Sequence, residues 1–122
     1  PGRTACDIDP ETVGRLAQLP NIIGIKDASD QLGRVHEHDI AAGNAQFIQL
    51  SGEDTSALGH RAMGGAGCIS VTANVAPELC AQMHSAADAG DWARAREIDR
   101  RLNPLHEALF SAPNPRPAMC RA

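Results

Sequence analysis

The chain reads as an α/β protein built from βα units around a parallel sheet, and three observations carry that expectation. Short apolar runs rich in β-branched residues fall near 22–27, 46–51 and 67–72, at intervals of about 24 and about 21 residues. One segment with apolar residues at helical spacing lies between each pair of runs. Each run closes in a small polar turn: Lys26-Asp27-Ala28-Ser29, Ser51-Gly52-Glu53-Asp54 and Thr72-Ala73-Asn74. Strands alternating with single helices in this way are the mark of parallel βα topology.

The elements follow in order. Asp9-Pro10-Glu11 supplies an N-cap, a proline at the first helical position and an early acid, so a helix is expected through Val13, Leu16 and Leu19, ended by Pro20. The strand at 22–27 is bounded by Pro20 and a polar cluster, and reads as buried. Ser29 or Asp30 is the expected cap of a second helix carrying Leu32, Val35 and Ile40 and stopping near Gly43. Gln46 to Ser51 is the second strand. Asp54 or Thr55 is expected to cap a third helix through Ala57, Leu58, Ala62 and Met63, ending at Gly64-Gly65, and Gly67 to Thr72 is the third strand. The pattern then becomes helical only. Pro77-Glu78 opens one helix through Leu79, Met83 and Ala87; after Gly90-Asp91 a long segment runs from Trp92 through Ile98, Leu102, Leu109 and Phe110, passing Pro104. Its Arg94, Arg96, Arg100 and Arg101 sit among Glu97 and Asp99, an ion-paired, solvated surface. No helix passes through the proline-rich stretch Ala112 to Pro117.

Composition narrows the function. With 122 residues there is room for one domain. A net charge of -4 and a pI near 5.6 give no footprint for nucleic acid. Neither a membrane-length apolar run nor a secretory h-region is visible, so the expected location is cytoplasmic. Cys6, Cys68, Cys80 and Cys120 contain no C-x-x-C pair and read as free thiols in a reducing compartment. Two residues apart on a helix, His36 and His38 point away from each other and read as a solvated face. His60, His84 and His106 stand alone, and no metal or cofactor is expected.

One residue does not fit a bland reading. Lys26 is the single lysine, the other ten basic side chains being arginine, and it closes an apolar strand. A strand buried to its end would carry the ammonium out of water, favour the free amine and make it a nucleophile for a carbonyl. The plainer alternative is a lysine that snorkels to solvent. In a (β/α) barrel the C-terminal strand ends share one face, so the lysine and the other two polar turns would line one pocket.

Pro1-Gly2-Arg3-Thr4, Ile23-Gly24-Ile25-Lys26-Asp27-Ala28-Ser29, Leu50-Ser51-Gly52-Glu53-Asp54, Gly67-Cys68-Ile69-Ser70-Val71-Thr72-Ala73-Asn74 and Pro113-Asn114-Pro115 together resemble the second half of the 4-hydroxy-tetrahydrodipicolinate synthase (dihydrodipicolinate synthase) family. The resemblance covers nearly the whole chain in unbroken order. It implies a partial (β/α)8 TIM barrel, the last three βα units, plus part of a helical C-terminal extension. Residues 1–75 are then the C-terminal half of the barrel, and 76–122 its last helix and the start of the extension. The implied activity is a lyase of the class I aldolase type, condensing pyruvate with aspartate semialdehyde on the route to lysine and diaminopimelate, without a cofactor. Lys26 is implied as the residue forming the imine with pyruvate, Arg3 as the holder of the aldehyde's carboxylate, and Gly52 and Ile69 as pocket wall near the pyruvate. A homo-oligomer, tetrameric in the family, is implied as well.

The departures are also informative. Such a barrel needs about 250 residues and eight strands, and the chain opens without a methionine in what resembles the loop after the fifth strand. A fragment is therefore expected, with the family's pyruvate-carboxylate site, proton-shuttling tyrosine and lysine-feedback site upstream; the chain has no tyrosine. Arg116-Pro117-Ala118-Met119 replaces the family's proline, valine and lysine. Three strands leave two open edges and an apolar face, so self-association is expected, and turnover is expected to need the missing groups. Two alternatives stay open: a sialic acid lyase or sugar-acid aldolase sharing barrel and lysine, and a non-catalytic remnant.

Overall fold

The computed structural model describes residues 4–43 and 45–112. Helix α1, Pro10–Ala17, begins where the sequence places it: the Asp9 carboxylate accepts the Thr12 N–H at 2.7 Å, and Pro10 occupies the first turn. Its Val13 and Ala17 pack toward α2, Gly33–Ala42, which buries Val35 and Ala42. Gly14 is the point of closest approach. A methyl there would stand 2.6 Å from the Ala41 carbonyl oxygen, a backbone atom that cannot yield cheaply.

Strands β1 (Gly24–Asp27), β2 (Ile48–Ser51) and β3 (Gly67–Cys68) form one sheet in that order, both pairings parallel. Lys26 pairs with Leu50, and Leu50 with Gly67. Because side chains alternate along a strand, Gly24, Lys26, Ile48, Leu50 and Gly67 share one face, while Ile25, Asp27, Gln49, Ser51 and Cys68 share the other. The helix-covered face is the polar one. Gln49, only 4% exposed, donates to the Val35 carbonyl at 2.9 Å and to Asp39 at 2.6 Å, and its Oε1 lies 3.1 Å from His38 Nδ1. A fully engaged amide of this kind is what makes burial of a polar side chain tolerable.

The core lies on the helical side. Helix α3 (Ala57–Ala62) packs against a hairpin of α4 (Pro77–Asp88) and α5 (Trp92–Phe110), folded back through Gly90 at φ +76°. Ala57, Cys80, Met83, Ile98 and Leu102 form the main cluster, extended by Ala86, Ala87 and Ala95. Asp91 caps α5 through the Arg94 N–H at 3.0 Å, and Pro104 sits within the helix on its exposed side. Arg94 pairs with Glu97, and Arg96, Arg100 and Arg101 face solvent, as expected. Among the described residues no helix is long and apolar enough to cross a membrane.

Several expectations need correction. The strand expected to be buried over 22–27 is not: Ile23, just before β1, is 69% exposed, and Lys26 is exposed on a sheet face that no described residue covers. Helix α2 starts at Gly33 without a side-chain cap, since Asp27 takes the Ser29 N–H at 2.8 Å and Ser29 Oγ the Gln31 N–H at 3.3 Å, local turns that compete with the helix. Helix α3 likewise starts at Ala57 without a side-chain cap, Asp54 being committed elsewhere. The third strand stops at Cys68, and Thr72–Asn74 forms a 3-10 turn. His36 is exposed but His38 is buried against Gln49, so the pair is not one solvated face. The stretch Pro113–Pro117 and Cys120 lie outside the described residues.

Candidate active site

The carboxyl ends of the three parallel strands lie on one side of the sheet, where the sequence places its candidate residues. Lys26 is the penultimate residue of β1, with its side chain on the open sheet face. Its arm lies across Gly52, where a methyl group would stand 2.6 Å from Lys26 Cε and 2.8 Å from Ala28 Cβ. Only glycine leaves that space. A trough of about 260 Å3 runs alongside, lined by Gly24, Ile48, Leu50, Ile69 and the lysine. The Gly52 N–H donates to the Asp27 carbonyl at 2.6 Å and the Ile69 N–H to the Ser51 carbonyl at 2.8 Å, which extends the strand-to-strand pairing to both wall residues. The structure thus brings Lys26, Gly52 and Ile69 together. Arg3 lies outside the described residues.

The amine is solvated, contrary to the desolvation expected from a buried strand. The four ion pairs among the described residues use Arg34, Arg61 and Arg94, and none includes Lys26. A second cleft, about 390 Å3, reaches Lys26 from the edge of β1 and is lined by Thr4, Cys6, Ala28 and Arg34. Arg34 is 5% exposed; its guanidinium grips the Asp7 carboxylate and the Ile8 carbonyl and stands 3.8 Å from Asp27. That hydrogen bond holds the Asp7 carboxyl below the usual carboxylate range and raises the arginine. It ties the segment before α1 to the strand bearing the lysine.

Two groups around the third turn escape a sequence reading. Asp54, 4% exposed, accepts from the Ser70 hydroxyl, the Val71 N–H at 2.8 Å and the Thr72 N–H at 3.2 Å. Thr72 Oγ1 in turn lies 2.6 Å from His106 Nδ1 on α5, both buried. An acid in a polar turn was visible in the sequence; its partners, 16 to 18 residues away, were not, nor was the His106 that meets Thr72 from 34 residues further on. Burial, then the neighbouring Asp54 carboxylate, pushes the Cys68 thiol up to about 12, and burial raises Cys80 as well. These are unreactive thiols. Among the described residues no cluster of three histidine, cysteine or acidic side chains could hold a metal ion.

A parallel βα sheet, with a lone lysine reaching an apolar trough at the carboxyl end of its first strand, defines part of a (β/α)8 barrel of the lysine-bearing kind. Comparison with known proteins narrows the class. The model of the dihydrodipicolinate synthetase family matches residues 1–120, and the chain belongs to that family. It is 62% identical over 119 residues to the 4-hydroxy-tetrahydrodipicolinate synthase of Hyphomonas neptunium, covering 97% of this chain and 41% of the relative. To the synthase of Cereibacter sphaeroides it is 58% identical, covering 93% and 39%. Among solved structures it is similar to the chloride-inhibited dihydrodipicolinate synthase from Acinetobacter baumannii complexed with pyruvate, with TM-score 0.90 and 38% identity over 98% of this chain and 40% of that one. A monomeric dihydrodipicolinate synthase variant gives TM-score 0.88 at 36% identity, covering 94% and 39%. The chain spans about 40% of the length of the curated relatives it matches.

Proposed function

We propose that this chain supplies the imine-forming lysine of a class I aldolase-type lyase, a 4-hydroxy-tetrahydrodipicolinate synthase condensing pyruvate with aspartate semialdehyde. The observation that supports the reading most directly is the placement of Lys26: an unpaired amine on a flexible arm, over a glycine and beside an apolar trough, at the carboxyl end of a barrel strand. The family supplies the substrates.

In this reading the neutral Lys26 amine adds to the pyruvate carbonyl and, with one proton taken up from solvent, water leaves to give a protonated imine. The imine takes up the electron pair as a methyl proton departs, and the resulting enamine carbon forms the new bond to the aldehyde. Gly52 and Ile69 wall the pyruvate, and the Arg3 guanidinium binds the carboxylate of the aldehyde through its planar fork. Residues 1–75 contribute the last three βα units of the barrel and 76–122 its last helix and the start of the helical extension. The whole enzyme assembles as a homo-oligomer.

The test uses a hybrid in which this chain replaces the matched 119 residues of the Hyphomonas neptunium synthase. Pyruvate followed by borohydride should fix one adduct, absent from Lys26→Ala. A hybrid that turns over sugar-derived aldehydes faster than aspartate semialdehyde would move the assignment to a sugar-acid aldolase.

A further inference from the structure

Gly52 and Ile69, the two wall positions, lie in different turns, and one buried carboxylate joins them. Asp54 is two residues beyond Gly52, and its acceptor oxygens hold Ser70, Val71 and Thr72, the three residues after Ile69. The Ser70 hydroxyl passes the constraint on, accepting the Ala73 N–H at 2.8 Å. His106 grips the far end of the turn through Thr72. Without these bonds the third strand would continue along the extended run its sequence predicts; with them it turns away directly after Ile69, leaving the isoleucine, 49% exposed, against the trough. A carboxylate with three donors aimed at it and almost no access to water is costly to keep unless each donor is used.

We propose that Asp54 is a positioning residue for the pyruvate half of the reaction: it fixes the distance between the Gly52 and Ile69 walls, and so the seat that presents pyruvate to Lys26. The proposal rests on the function proposed above. Nothing in it requires Asp54 to touch substrate, since its oxygens already accept three hydrogen bonds from the turn.

In the hybrid, Asp54→Ala should lower kcat/KM for pyruvate by about 10- to 100-fold, the scale expected when a reacting group is misplaced by about 1 Å. The kcat/KM for aspartate semialdehyde should change little, because the walls serve the first substrate. Asp54→Asn keeps one acceptor for the Val71 and Thr72 N–H groups and should restore most of the loss. Met83→Ala, a core truncation between α4 and α5, serves as the control: it should lower thermal stability without moving either ratio. In the chain itself, Asp54→Ala should also speed amide exchange at Val71 and Thr72. The proposal is overturned if Asp54→Ala behaves like Met83→Ala, if both substrate ratios fall together, or if exchange at the turn is unchanged. The parent hybrid separates the two readings. Failure to trap pyruvate on Lys26 there would sink the proposed function, while the exchange measurement would still decide whether Asp54 holds the turn.

Discussion

Gly52→Ala is the substitution through which the geometry around Lys26 speaks most directly. The new methyl would stand 2.6 Å from Lys26 Cε, where ordinary contact begins at 3.4 Å, so the lysine arm must give way by about 0.8 Å. The arm lies exposed on the open sheet face and is the one neighbour free to move. Ala28 Cβ at 2.8 Å and the Asp27 carbonyl oxygen at 3.2 Å press on the same methyl, and neither is the end of a flexible side chain. The adjustment therefore falls on the lysine proposed to form the imine, where a displacement near 1 Å should cost about 100-fold in rate. Overpacking also costs about 1–3 kcal/mol of stability, too little to account for such a loss while the protein stays folded. The assay is a time course of borohydride-trapped pyruvate on the hybrid and its Gly52→Ala variant, with folding followed by circular dichroism. The expected result is a folded variant that traps about 100-fold more slowly even at high pyruvate concentration. A Gly52→Ala variant that traps at the parent rate would refute the claim that this glycine exists to admit the lysine arm.

Three further predictions concern the rest of the fold. Gly14→Ala gains about 0.5–1 kcal/mol of helix propensity. Its methyl meets the Ala41 backbone at 2.6 Å, however, and overpacking at about 1–3 kcal/mol wins, so a urea melt should shift to lower denaturant. Alkylation by iodoacetamide near pH 8 should label exposed Cys6 while Cys68, pushed up to about 12, stays unlabelled until the chain unfolds; labelling of native Cys68 at the rate of Cys6 would contradict the burial. Burial lowers His60 and His84 below the ordinary imidazole value, so both stay neutral in the fold while the unfolded chain takes up protons first. Their contribution is present above about pH 6.5 and is lost as pH falls below it. Asp7 and Asp9, lowered by their hydrogen bonds to Arg34 and the Thr12 N–H, add a second loss below pH 3.8, and Asp99, raised by burial, works against it. Equilibrium unfolding between pH 8 and pH 5 should therefore show falling stability, and His60→Gln together with His84→Gln should flatten that slope.

What the sequence made legible is what local chemistry decides. Asp9 and Pro10 mark the start of α1 because a cap and a first-turn proline act within four residues. The β1-β2-β3 order follows from short strands joined by single helices. Lys26, Gly52 and Ile69 meet because parallel strands bring their carboxyl ends to one side, whatever else the barrel contains. Failures arise where distant groups compete. Ser29 and Asp30 look like caps of α2, yet Ser29 is spent in local turns, giving its N–H to Asp27 and accepting the Gln31 N–H, and the helix starts at Gly33. Gly67 to Thr72 has strand composition, but Asp54 draws the Val71 and Thr72 amides out of any ladder. His38 reads as part of a solvated helix face and His106 as an isolated polar residue; each is buried against one partner, Gln49 or Thr72, that only the fold identifies. The apolar composition of β1 suggested burial, whereas its Lys26 face is open and the buried face of β2 is the polar one, satisfied by α2.

Whether Lys26 forms the imine with pyruvate is decided by trapping the adduct. The hybrid is incubated with pyruvate, reduced with borohydride and digested, and the modified peptide is mapped by mass spectrometry. One reduced adduct is expected, on the peptide containing Lys26, and none in Lys26→Ala. An adduct at another lysine of the hybrid, or an active hybrid that traps no pyruvate at all, would contradict it.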